Sequence, residues 1–220
     1  MRIRFKPWAR PELEASKFYI DNPEEYKGKW ISAFENQQNP IHLELGCGKG
    51  GFISQLAVQN PNINYIAIDM VDAMLGLAKR NIEKEYEDRN LQINNVYLTR
   101  FDIERILMIL DESDKIERIY INFCNPWPRG KHHKKRLTHI RQLEKYKQFL
   151  KKGGEIFFKT DDDGLFNDSI LYFKQAGFNI ENITYDLANT PNFWNNIETE
   201  HERMFKNEGI KIKALKAINV

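Results

Sequence analysis

The chain has 220 residues, 41% hydrophobic and 29% charged, the make-up of an ordinary folded α/β-sized domain with a sizeable core. Neither a secretory leader nor a membrane span is expected: the basic opening Met1–Arg10 has no apolar stretch behind it, and no apolar run approaches bilayer length. The net charge of +2 conceals a segregation, since Arg129–Lys152 holds ten Lys/Arg against one acid, Glu144, while the rest of the chain carries 23 basic and 30 acidic residues.

Residues 1–39 are expected to form an N-terminal extension whose aromatics (Phe5, Trp8, Phe18, Tyr19, Trp30, Phe34) pack on a main domain spanning 40–220. From Pro40 strands and helices alternate. Ile41–Leu45 reads as a short strand ending in a glycine-rich turn, followed by a helix over Phe52–Gln59 and a strand over Asn64–Asp69. Ala73, Met74, Leu77, Ala78 and Ile82 then recur with helical spacing over Val71–Asp88. Val96–Phe101 reads as a strand, Ile103–Leu110 as a short helix and Ile116–Phe123 as the next strand. A basic helix is predicted from Thr138, burying Ile140, Leu143, Phe149 and Leu150 and stopping at Gly153-Gly154. Glu155–Asp161 is a further strand, Leu165–Ala176 a helix, and Phe178–Leu187 and Gly209–Ile218 contain two final strands. This alternation predicts a doubly wound, mostly parallel α/β sheet with the last strand antiparallel. In such sheets ligands bind outside the carboxyl ends of the strands, where the motifs below all fall.

The turn "LELGCGKGGF" places glycines at 46, 48, 50 and 51, which permits positive φ and close approach of backbone to ligand. Gly46, Gly48 and Gly51 satisfy a G-x-G-x-x-G spacing, with Asp69 18 residues later at a strand end, so the spacing admits NAD as well as S-adenosylmethionine. Glu44, two residues before the first glycine, would repel a pyrophosphate and suits instead a cationic ligand end such as the ammonium of S-adenosylmethionine. Asp102, ending the next strand, adds an acceptor for an adenine amino group. Together these acids favour S-adenosylmethionine.

The second motif is "NFCNPWPRGKHHKKR", Asn122–Arg136. Two prolines around Trp127 stop any helix or ladder, presenting Asn125 and a large ring beside a block of cations. A block of that density on an otherwise acidic chain points to a polyanion, the structural alternative being a solvated lysine-rich face. Cys47 and Cys124 sit in different motifs and predict neither a disulfide nor a metal site; His132, His133 and His139 show no zinc spacing. In "DDD" at 161–163, Asp162 and Asp163 read as turn residues before a helix.

"ELGCGKGGF", "NFCNPWPRGKHHKKRLTH", "FKTD" and "IETEHE", with the opening "MRIRFKPWA", resemble in order and rough spacing the motifs of the bacterial tRNA guanine-N7 methyltransferases, across nearly the whole chain. The resemblance implies a Rossmann-like class I methyltransferase that uses S-adenosylmethionine to modify guanine 46 in the variable loop of tRNA. It places Glu44, Gly46, Gly48, Asp69, Asp102 and Asn125 at donor-binding positions, and Arg129, Asp161 and the segment Thr199, Glu200, His201, Glu202 at substrate-binding ones. It places Lys131, His132, His133, Lys134, Lys135 and Arg136 in the RNA-contacting stretch. The partners implied are tRNA and no membrane or metal, for a cytoplasmic monomer or homodimer.

One departure matters: the family usually has Asp where this chain has Asn125. N7 of guanine carries an in-plane lone pair and no proton, so its methylation needs no general base. Asn125 is therefore expected to position the reactants, with negative charge supplied by Asp161 or Glu202 and Glu202 also reading the guanine edge. Trp127 stacks on a base, covers the pocket or simply fills the core; the pocket is expected where the Ile41–Leu45 and Ile116–Phe123 strands end. Methylation of an exocyclic amine, as by enzymes with Asn-Pro-Pro-aromatic, is the nearest alternative. An NAD-dependent oxidoreductase and a non-catalytic tRNA-binding protein are alternatives of other classes.

Overall fold

The computed structural model describes residues 4–190, 193 and 196–220; the first three residues of the opening motif lie outside that range. The chain divides into two compact units, Met1–Asp114 and Lys115–Val220.

In the first unit, helix α1 (Ala9–Glu14) and the two-residue strand β1 (Tyr19–Ile20) precede the alternation β2 (Ile41–Leu45), α2 (Gly51–Gln59), β3 (Asn64–Asp69), α3 (Asp72–Glu87) and β4 (Val96–Arg100). The strands run β1-β4-β3-β2, and every neighbouring pair is parallel. All five residues of β2 are buried, its polar His42 and Glu44 included, as are the first five of β3. On α3 the buried stripe is Leu75, Ala78, Ile82 and Tyr86 with Ala73, while Met74 and Leu77 of the predicted stripe are only half-buried.

The residues before β2 are built into this unit. Trp30 is fully buried, its indole Nε1–H donating to the Ile109 carbonyl at 2.7 Å. The buried carboxylate of Asp114 accepts the main-chain amides of Gly28, Trp30 and Asp111 at 2.9–3.0 Å. Thr99 on β4 donates its hydroxyl to the Ile20 carbonyl at 2.8 Å. Arg80 of α3 lies 3.6 Å from the centre of the Trp8 ring and pairs with Glu12 of α1, so a cation–π contact and an ion pair join the two helices. Phe5, by contrast, is 81% exposed.

In the second unit the order is β5 (Ile116–Asn122), α4 (Ile140–Tyr146), β6 (Leu150–Thr160), α5 (Asp163–Gln175), β7 (Phe178–Thr184), α6 (Glu200–Asn207) and β8 (Lys213–Asn219). The strands run β5-β6-β8-β7; β5 and β6 are parallel, and β8 is antiparallel to both its neighbours. The expected class, doubly wound and mostly parallel with the last strand reversed, is the class observed.

The basic helix is shorter than predicted. It starts at the His139 cap, ends at Tyr146 and leaves Ile140 half-buried, while Phe149 and Leu150 are buried outside it. Gly153-Gly154 does not stop a helix but lies inside β6. Ile116 pairs with Leu150 and Arg118 with Glu155, so Lys151–Gly154 form a bulge opposite a single residue of β5. Gly153 takes φ +75° there, a conformation that favours glycine.

Candidate active site

In the first unit the predicted donor-binding residues gather at the carboxyl ends of three adjacent strands. Glu44, near the end of β2, is 2% exposed, and Asp69 closes β3. Asp69 holds the glycine turn: its Oδ2 accepts from the Gly48 amide and its Oδ1 from the Val71 amide, each at 3.0 Å. Burial raises the Asp69 carboxyl above the usual carboxylate range, although the amides of Val71, Gly48 and Met70 pull it back. Asp102 follows β4 and accepts the Glu104 amide at 2.9 Å, capping the 3₁₀ turn Ile103–Met108.

Gly46 and Gly48 both have positive φ, and a Cβ placed on Gly48 would meet nothing within 4 Å. Gly48 is therefore required by its backbone conformation and faces open space. A turn with open space beside it, flanked by a buried acid and two strand-end carboxylates, fits a ligand with a cationic tail, ribose hydroxyls and an amino-bearing base. It fits a dinucleotide pyrophosphate poorly, because Glu44 would have to be desolvated next to phosphate. Cys47, buried in the same turn, has its thiol pushed well up by burial and by the Asp69 and Glu44 charges, so it stays protonated.

In the second unit, β5 leads into the Asn125 turn. Phe123 donates its amide to the Lys159 carbonyl at 2.9 Å, and the exposed Asn125 accepts the Trp127 amide on Oδ1 at 3.0 Å. Phe123 and Trp127 take φ of +52° and +43°. The left-handed region costs a non-glycine residue about 1–2 kcal/mol, so this turn holds strain on both sides of Asn125. The Asn125 amide keeps a second lone pair on Oδ1 and two protons on Nδ2 for other partners. The half-buried Trp127 ring has Lys135 Nζ 5.1 Å from its centre and His132 at 5.8 Å.

Arg129, Lys131, Lys134 and Lys135 are exposed, whereas Arg136 is 3% exposed and tied to Pro126 and Asp168. Unlike the other cations expected to meet RNA phosphate, Arg136 turns its guanidinium inward to protein acceptors. His133 likewise has its Nδ1 3.9 Å from Asp168.

Asp161 ends the "FKTD" motif, and its carbonyl accepts from Lys213 Nζ at 2.8 Å. Asp162 caps α5 by accepting the Leu165 amide, and Asp163 pairs with Lys213, as turn residues would. The Thr199–Glu202 segment also has a structural use. Thr199 and Glu202 form a capping box at the start of α6, and the Glu202 carboxylate also accepts from Lys159 Nζ at 2.6 Å and Asn196 Nδ2 at 2.8 Å. The carboxylate is 5% exposed and bonded to three protein donors, a structural use beside the expected one of reading guanine or balancing its charge. Glu200 and His201 are exposed, and the His201 ring stacks on Phe123, 5.7 Å away at 20°, beside the Asn125 turn. Sequence reasoning missed Lys159, although its position in an otherwise apolar strand was a signal: a lysine there needs an acid partner.

Among the described residues, no helix is long and apolar enough to cross a membrane, and no group of three or more His, Cys, Asp or Glu is placed to hold a metal ion.

The strand order, the reversed final strand and the acids around the glycine turn define a class I methyltransferase. Solved structures agree on the fold: an antibiotic-related methyltransferase aligns over 99% of this chain and 95% of its own with a TM-score of 0.58 at 17% identity. The 16S rRNA methyltransferase KamB aligns over 99% and 96% with a TM-score of 0.58 at 14% identity. A family model described as "Putative methyltransferase" matches residues 38–215. Similarity to curated sequences goes further. A tRNA (guanine-N(7)-)-methyltransferase of Clostridium botulinum (strain Eklund 17B / Type B) is 62% identical over 218 residues, 99% of each chain. Proteins of the same name from Clostridium perfringens (strain 13 / Type A) and Clostridium tetani are 60% and 53% identical, over 98% and 96% of each chain. The chain belongs to the tRNA (guanine-N7-)-methyltransferase family, which removes the oxidoreductase reading.

Proposed function

We propose that this protein is a cytoplasmic enzyme that methylates N7 of guanine 46 in the variable loop of tRNA, with S-adenosylmethionine as donor and without a general base. The observation that carries the reading is identity of about 60% along nearly the full chain to proteins named as tRNA (guanine-N(7)-)-methyltransferases. The carboxylates at the ends of β2, β3 and β4 support the choice of donor.

Glu44 would take the donor's ammonium, Asp69 its ribose hydroxyls and Asp102 its adenine amino group. S-adenosylmethionine supplies an electrophilic methyl: the N7 lone pair forms the new C–N bond as the C–S bond breaks and its electron pair leaves with a neutral thioether. No proton has to move, so the work of the chain is to hold the reactants in line. Asn125 does this through the lone pair and amide protons left over from its turn, and it has no charge to lose with pH. Asp161 remains available to offset the positive charge that develops on the purine. Arg129, Lys131, Lys134 and Lys135 supply cations for the RNA backbone.

The test is methyl transfer from labelled donor to unmodified tRNA, followed by mapping of the modified base. Modification at N7 of guanine 46 is expected; an N6- or N2-methylated purine would establish the exocyclic-amine alternative. Asn125→Asp should stay active and Asn125→Ala should lose about 10- to 100-fold in single-turnover rate. An inactive wild type rescued by Asn125→Asp, with a rate rising as the new carboxylate ionises, would refute the account without a base.

A further inference from the structure

Of the six residues Lys131–Arg136, only Arg136 is buried. Its Nε donates to the Pro126 carbonyl at 2.7 Å and its Nη1 to Asp168 Oδ2 of α5 at 2.5 Å. Pro126 lies between Asn125 and Trp127, inside the span bounded by the two left-handed residues. A strained turn persists only where its surroundings over-determine it. Proline has no amide proton, so its carbonyl is the one main-chain polar group by which residue 126 can be held. A guanidinium presents a rigid fork of donors and can grip a carbonyl and a carboxylate together, which a lysine ammonium on a flexible stem cannot do with the same fixity.

A second tie joins the same stretch to α5. The buried hydroxyls of Thr138 and Ser169 lie 2.6 Å apart, and Ser169 also bonds to the Leu165 carbonyl. Helix α5 is itself capped by Asp162, next to Asp161. The Asn125 turn and Asp161 are therefore both referred to one rigid helix.

We infer that Arg136 is a positioning residue for methyl transfer, holding the Asn125–Trp127 turn on α5 through Asp168, and is not one of the phosphate contacts. Its rate readout rests on the activity proposed above; its binding readout does not.

The test compares full-length wild type with R136Q, R136K, D168N and the R136Q/D168N double variant. Single-turnover transfer at saturating tRNA should fall about 100-fold in R136Q, the size of effect expected from a misplaced reacting group. R136K should recover little of it, D168N should fall in the same direction, and the double variant should lose no more than R136Q alone. The dependence of tRNA affinity on salt should keep its wild-type slope throughout, and affinity for S-adenosylhomocysteine should hold. A slope reduced by about one unit in R136Q would overturn the inference, since that is the signature of a lost phosphate contact. Wild-type rates in R136K, or in D168N, would overturn it as well. If R136Q does not fold, R136K and D168N decide the question by the same criteria. A wild type that methylates no tRNA would refute the proposed activity, and the salt slopes would still decide whether Arg136 meets phosphate.

Discussion

Asp69 carries opposing demands on one carboxylate: burial disfavours its charge, and the amides of Gly48 and Val71 favour it. Burial wins, so its neutral form persists to higher pH than for an ordinary carboxylate. For donor binding the sign follows directly. The ionised form is the better acceptor for ribose hydroxyls and exists above the raised pKa, so affinity should fall on acidification earlier than a normal Asp would cause. Calorimetry with S-adenosylhomocysteine across mildly acidic pH should show this loss in the wild type and a flat, weaker profile in Asp69→Asn; identical profiles would remove Asp69 from the donor site. On folding the sign is opposite: with its folded pKa raised, Asp69 contributes stability at low pH that is lost as pH rises through that value. The placing of Asp69 and Glu44 beside the glycine turn was legible because both lie at the ends of short strands bounded by turn residues. Arg136 was not legible, because a buried arginine and its five neighbours are the same letters in a run of charge. Only the position of Asp168 on α5, 32 residues on, distinguishes it.

The link between β6 and α6 rests on one buried ion pair. Lys159, 1% exposed, donates to Glu202, to Asn196 Oδ1 and to the Ile197 carbonyl, while Phe123 and Phe205 pack with Leu187, Ile212 and Ala214 beneath the same segment. Removing one partner leaves a buried charge uncompensated, which costs about 3–5 kcal/mol. Lys159→Met should therefore lower the free energy of unfolding in urea by that amount, and adding Glu202→Gln, which removes the charge but keeps an acceptor for the Thr199 amide and Asn196, should restore much of it. A cost below about 1 kcal/mol would mean that water already reaches the pair. The sequence contained the clue to this element, since Thr-x-x-Glu ahead of a helix is a capping-box pattern as well as a family motif. The Gly153-Gly154 misreading has a similar origin: glycines that can end a helix can equally permit a bulge, and only the register of β5 against β6 decides between them. The bounds of β2 and β3 were legible because each short run is closed, by the turn at Gly46 after β2 and by the helix start at Asp72 after β3.

Across the whole chain, charge is divided between tasks that composition cannot separate. Among the ten basic residues of Arg129–Lys152, Arg136 is buried and Lys147 is half-buried with its ammonium on the Ala176 carbonyl, while Arg129, Lys131, Lys134 and Lys135 remain exposed. Replacing Lys131, Lys134 and Lys135 together by Ala should flatten the salt dependence of tRNA binding by up to about three units, one per contact, without changing affinity for S-adenosylhomocysteine. An unchanged slope would make the block a solvated face. The N-terminal residues bring a different consequence, one of time. Every tie described for residues 20–30 comes from residues 99–114: Thr99 reaches Ile20, Ile109 takes the Trp30 indole, and Asp114 gathers the amides of Gly28 and Trp30. Chains are made at roughly 5–20 residues per second, so Ile20 waits about 4–16 seconds for a partner that lies 79 residues downstream. Through that interval the Trp30 indole lacks the Ile109 carbonyl, and the amides of Gly28 and Trp30 lack the Asp114 carboxylate. The first unit therefore cannot close on its N-terminal residues until residue 114 has been made.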